Sequence, residues 1–148
     1  CKAIAKLRYN KNRANNIKDK KIGKQSNHFT DLEGFSAEFA FCKLHNLFPD
    51  FSIEPRSSSE DEGDACLSNG QTVDVKTTKY STGRLLAASW KKASVDLYAL
   101  MTGEFPNYIF RGFMQSSELL KTERLGDLGH GEGYLAEQSE LSELSELS

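Results

Sequence analysis

The stretch Glu62-Gly63-Asp64-Ala65-Cys66-Leu67-Ser68-Asn69-Gly70-Gln71-Thr72-Val73-Asp74-Val75-Lys76-Thr77-Thr78 decides how this chain is read. Asn69-Gly70 is a two-residue hairpin signal, because both residues tolerate the positive φ that a type I′ turn demands. The residues after it are rich in β-branched types, and Val73 and Val75 alternate with Asp74 and Lys76. Strand side chains point to opposite faces with period two. Asp74 and Lys76 therefore share one face, and the valines turn toward a core. Folding back at Asn69-Gly70 brings Asp64 alongside, so a second carboxylate approaches the first pair. Two acids and a lysine at a hairpin can hold a divalent cation and activate a water.

Upstream, Thr30-Asp31-Leu32-Glu33 fits a capping box, with Thr30 as the cap and Glu33 reaching back. Ala37, Ala40, Phe41, Leu44 and Phe48 then fall on one apolar stripe of an amphipathic helix, widened by Phe35, Phe39 and Leu47. Glu38 lies within this apolar region. A carboxylate there is costly to bury unless it is paired or bound to metal.

In this form the pattern resembles the PD-(D/E)XK nuclease superfamily, with Asp64 as the first acid and Asp74-Val75-Lys76 as the (D/E)XK element. The resemblance spans roughly residues 30 to 115. It implies a restriction-endonuclease-like fold, Mg²⁺ or Mn²⁺ as the cofactor, and hydrolysis of phosphodiester bonds, in DNA before RNA. Its metal ligands would be Asp64, Asp74, the Val75 carbonyl and Glu38, with Lys76 positioning the attacking water. The small size is similar to stand-alone nucleases of phages. One departure is plain: Gly63 stands where the family's proline would precede the first acid.

Composition fits a single folded unit. The 148 residues are 27% charged, enough chain for a real core. Cys1, Cys42 and Cys66 are odd in number without C-x-x-C spacing, which argues against a disulfide framework or a structural zinc. His28, His45 and His130 are scattered, which argues against a histidine-ligated metal. No apolar run reaches the length of a membrane span and no signal peptide is visible, which points to the cytoplasm, that of the host for a viral protein. A homodimer is compatible with this composition.

The net charge of −2 hides a polarised chain. Residues 1–28 carry nine Lys or Arg against Asp19 alone, and residues 115–148 carry eight acids against Lys121 and Arg124. The chain divides on this basis into a basic helical arm (1–28, with a helix from Ile4 to about Arg13), a nuclease core (29–125), and a glycine-rich connector with an acidic tail (126–148). A basic arm is the footprint of phosphate binding, and Lys6, Arg8 and Arg13 are its candidates. Lys79, Tyr80, Arg84, Lys91 and Lys92, with Trp90 among them, mix cations and aromatics in a way that suits backbone contact and base stacking. Tyr80 and Trp90 could equally be rim residues of the core, the more so Trp90, which precedes a strand.

Within the core, the capped helix followed by strand-length runs predicts an α/β (α+β) fold. Its mixed central sheet has about four or five strands flanked by helices. The runs are Phe51–Ile53 at an edge, the two hairpin strands, Arg84–Ala88, Val95–Met101 and Tyr108–Met114. Ser116 or Ser117 would cap a short helix. The Ser-Glu-Leu repeat from Ser139 to Leu147 is either a frayed tail or one or two helical turns docked on the body. Two other functions stay open: a nucleic-acid-binding module with this fold and no turnover, and a protein-interaction domain that binds a basic partner.

Overall fold

The computed structural model describes residues 2–14, 27–51, 63–127 and 131–146. Helices α1 (Lys2–Ala14) and α2 (Asn27–Leu44) precede the strands β1 (Ala65–Cys66), β2 (Thr72–Thr78), β3 (Leu85–Ala88), β4 (Leu97–Glu104) and β5 (Asn107–Gln115). A short α3 (Ser116–Leu119) leads to β6 (Leu125–Asp127) and β7 (Glu132–Ala136). The class is mixed α and β, as expected.

The main sheet has four strands in the order β1-β2-β4-β5. Strands β1 and β2 are antiparallel, β2 and β4 parallel, β4 and β5 antiparallel, so the sheet is mixed. Asp96 locks the parallel register: its Oδ2 accepts the Thr72 N–H at 2.8 Å, and its own N–H reaches the Thr72 carbonyl at 3.1 Å. Of the two hairpin strands only β2 is interior, whereas the two-residue β1 is an edge.

Strand β4 explains the layering. Leu97 through Thr102 are buried without interruption, as expected of a strand covered on both faces. Leu97, Ala99 and Met101 join Val73, Val75 and Phe113 against Ala37, Phe41 and Cys42 of α2. Tyr98 and Leu100 face the other way, onto Leu85, Ala87, Met114, Leu119 and Ala136. That second layer is a three-stranded antiparallel sheet, β3-β7-β6. One face of the main sheet is thus covered by a helix and the other chiefly by a small sheet, rather than by helices on both sides.

Some local expectations are corrected. Helix α2 already runs through Thr30, so the capping box does not form; Glu33 is instead buried, with Oε2 accepting the Tyr108 hydroxyl at 2.6 Å and both carboxylate oxygens near the Phe105 N–H at 3.2 Å. The apolar stripe stops short of Phe48, because Asn46 takes φ 55° and the Leu47 and Asn46 N–H groups bond back to Cys42 and Lys43 carbonyls at 2.8 and 3.4 Å. This is the Schellman closure, with Leu47 folding onto the core; Phe48 is left 89% exposed.

The supposed connector after Gly126 is the β6–β7 hairpin, and the boundary drawn at residue 125 cuts through β6. The tail docks on the body, as one of the two alternatives had it, through 3-10 turns at Gln138–Glu140 and Leu144–Glu146: Phe113 and Ser142 exchange backbone hydrogen bonds at 2.9 Å, and Leu144 packs on the α2 side of the core. Phe51 forms no strand, and residues 52 and 53 of that run lie outside the described residues, as do the connector 15–26 and the loop at Ser57-Ser58-Ser59-Glu60.

Candidate functional site

The β1–β2 hairpin forms as the spacing predicts, with a different turn. The Gly70 N–H bonds to the Leu67 carbonyl at 2.9 Å and the Leu67 N–H to the Gln71 carbonyl at 2.8 Å. Gly70 has φ 89°, while Asn69 does not have a positive φ. A type I′ turn would need both. Asn69 serves through its side chain instead, its Oδ1 accepting the Gln71 N–H at 3.0 Å.

The hairpin places Asp64 against the Asp74-Val75-Lys76 run. The Asp64 N–H bonds to the Val73 carbonyl at 2.7 Å, and its side-chain Oδ2 accepts the Val75 N–H at 2.8 Å. The carboxylate continues the ladder where β1, paired only through Ala65↔Val73 and Cys66↔Thr72, has ended. A strand residue's N–H and C=O leave the same edge, so the Val75 carbonyl points off β2 on the side where Asp64 sits. Gly63 is required just before it. Its φ is 81°, and a Cβ would meet the Val73 carbonyl oxygen at 2.8 Å. Proline, fixed near φ −65°, cannot stand here.

Asp74 is 3% exposed. Its Oδ1 is contacted by the Lys76 ammonium and its Oδ2 by that of Lys91, at 3.2 Å. Burial alone would push this carboxyl up; the two ammonium groups outweigh it and hold Asp74 below the ordinary value of 3.8. Lys76 also lies 5.9 Å from the centre of the Tyr98 ring. The pair thus faces the second sheet, opposite Val73 and Val75, as the alternation requires. Lys91 arrives from the turn after β3, closed by its N–H to the Ala88 carbonyl at 2.9 Å. Lys91, expected from the sequence as a nucleic-acid backbone contact, is held on the Asp74 carboxylate, a role with no local signal in the sequence.

Glu38 stands apart from the pair. It projects from α2, on the Val75 side of the sheet, and its Oε2 meets Arg8 at 3.3 Å. Its charge reaches Cys42, whose thiol is pushed up to about 11 by burial, then by Glu38 and Asp64. Among the described residues, no three Asp, Glu, His or Cys side chains gather as a metal-binding group. The structure therefore bonds Asp64 to the Val75 backbone, joins Asp74 to Lys76 and Lys91, and seats Glu38 on α2 beside Arg8.

The basic arm is also partly reassigned. Helix α1 packs on α2 through buried Ala5, and Arg8 is spent inward: it pairs with Glu38, donates to the Asp50 carbonyl at 2.8 Å and stacks 4.6 Å from the Phe35 ring centre. Arg13 lies over Tyr9 at 5.2 Å. Lys6 remains exposed. In the loops around the site, Lys79, Tyr80, Arg84 and Lys92 are exposed; Arg84 reaches Glu137 at 3.6 Å, and Lys79 sits over the Tyr80 ring at 5.3 Å.

The donors at this site are carboxylate and carbonyl oxygens, the kind that hard divalent cations take. In the structure both Asp74 oxygens are held by ammonium groups and Asp64 Oδ2 by the Val75 N–H. Among the described residues no helix is long and apolar enough to cross a membrane.

No curated protein matches the chain. A family model does, over residues 1–109, which takes in both helices, the β1–β2 hairpin and every residue of the site. On that match the chain belongs to the Family of unknown function (DUF5843).

Proposed function

We propose that this protein is a divalent-metal-dependent nuclease that hydrolyses phosphodiester bonds of nucleic acid, DNA in preference to RNA. The observation that carries the reading is the Asp64 Oδ2 bond to the Val75 N–H at 2.8 Å. It sets the first acid against the strand that bears Asp74 and Lys76, in the arrangement that the PD-(D/E)XK resemblance implies. A mixed sheet with the Asp-Val-Lys strand interior is consistent with the same resemblance.

Asp64, Asp74 and the Val75 carbonyl would hold the cation, with Glu38 of α2 joining them. When bound, the metal supplies a water of lowered pKa and charge stabilisation at the phosphate. The chain's own groups do the rest. Lys76 holds the attacking water or offsets charge developing on the phosphate, and Lys91 keeps Asp74 ionised in the absence of metal. Lys79, Arg84 and Lys92 meet the nucleic-acid backbone.

A second reading is a nucleic-acid-binding module of the same fold without turnover. What favours it is that both Asp74 oxygens are taken by ammonium groups. Incubating the protein with single-stranded, double-stranded and branched DNA in Mg²⁺, Mn²⁺ or EDTA separates the two. The nuclease reading expects cleavage in either metal and none in EDTA. Binding without cleavage in every metal supports the module.

A further inference from the structure

We infer that Trp90 is a stacking platform for an unpaired base, so that the substrate of this site is nucleic acid with single-stranded character. The inference rests on the nucleic-acid reading above and names the substrate class within it. Tyr98, Phe41 and Phe113 are fully buried in the core. Trp90 is not: it is 53% exposed, on the turn that ends β3.

What makes this exposure informative is the next residue. Lys91 is anchored 3.2 Å from the Asp74 carboxylate, and successive α-carbons are about 3.8 Å apart. Trp90 is therefore next in the chain to the residue anchored on this carboxylate, with the exposed Lys92 following. An exposed aromatic followed by an exposed cation offers stacking for a base and charge for its phosphate, the combination single-strand binders use. Across β2, Tyr80 repeats it: the ring is 64% exposed and lies under the Lys79 ammonium at 5.3 Å.

A base inside a duplex presents no free face to such a platform unless it is flipped out, which costs unpairing energy. Single strands, flaps and loops offer that face without the cost. The geometry thus selects unpaired over paired substrate at the point of cutting.

Trp90 is the chain's single tryptophan, so intrinsic fluorescence reports on it alone. The experiment titrates the full chain in EDTA, where cleavage is blocked, with an unlabelled oligothymidine and with a blunt duplex. The same two substrates, dye-labelled, give affinity by anisotropy. Expected are saturable quenching by the single strand, little by the duplex, and about tenfold weaker single-strand binding by Trp90→Ala with duplex binding unchanged. Trp90→Phe should recover most of that loss, which separates stacking from misfolding. Single-strand binding without quenching, or with equal affinity in Trp90→Ala, overturns the inference and leaves the nucleic-acid reading standing. An absence of binding to every oligonucleotide overturns both.

Discussion

The Lys91 ammonium meets the Asp74 carboxylate at 3.2 Å across seventeen residues of sequence. This contact joins the turn after β3 to the middle of β2, and it turns a buried acid into a stable anion. Without counter-ions, a carboxylate at 3% exposure would be driven toward its neutral form.

A pH prediction follows from that contact. The folded-state pKa of Asp74 is depressed by Lys76 and Lys91 against the opposing effect of burial. Its stabilisation is therefore present above the ordinary carboxylate value and is lost as pH falls through the lower folded value. Lys91→Met should raise the Asp74 pKa and move the loss to higher pH. Carbon-13 titration of the Asp74 carboxyl measures the shift, and an unchanged midpoint in Lys91→Met would contradict it.

Asp64 has two roles that substitution can part. Asp64→Ala removes the acceptor for the Val75 N–H and should cost about 1–2 kcal/mol in urea melts, along with all cleavage. Asp64→Asn retains an acceptor oxygen and should recover most of the stability without recovering cleavage. Equal cleavage by wild type and Asp64→Asn would remove Asp64 from the metal shell.

Salt dependence sorts the basic residues. Binding to duplex should fall with a log–log slope of about −0.9 for each phosphate contacted. Lys79→Ala and Lys92→Ala should each make the slope shallower by about one. Arg8→Ala should leave the slope unchanged and instead destabilise the fold by about 1–2 kcal/mol, because its guanidinium is bonded to Glu38 and to the Asp50 carbonyl. A slope that changes with Arg8 would return α1 to the binding surface.

The Glu33–Tyr108 bond tests the fold away from the site. Burial, then the hydrogen bond to Glu33, holds the Tyr108 phenol well above its ordinary value. Tyr108→Phe leaves a buried carboxylate short of one donor and should cost about 1–3 kcal/mol by thermal or urea unfolding. Nucleic-acid affinity under native conditions should be unaffected.

The parts of this account legible in the sequence are those encoded locally. Asn69-Gly70, with the valine alternation behind it, announced the hairpin and put Asp64 beside Asp74-Val75-Lys76. The uninterrupted apolar run of β4 announced a strand of the core. What stayed hidden depended on partners distant in sequence. Glu33 resembles a cap residue until Phe105 and Tyr108 are brought to it. Lys91 resembles a surface cation until β3 turns it onto Asp74. The second sheet is built from strands of three to five residues, two of them interrupted by Gly126 and Gly133, too short for period two to show. Phe48 fitted a helical stripe that Asn46 ends, and only the backbone conformation of that residue records the stop.

The most direct measurement of the central claim is single-turnover cleavage by wild type and Asp74→Asn in Mg²⁺, with DNA affinity determined on the same preparations. The account predicts that the wild type cuts, that Asp74→Asn loses cleavage, and that its affinity stays within a few-fold of wild type. Metal-dependent cleavage by Asp74→Asn at the wild-type rate would contradict it.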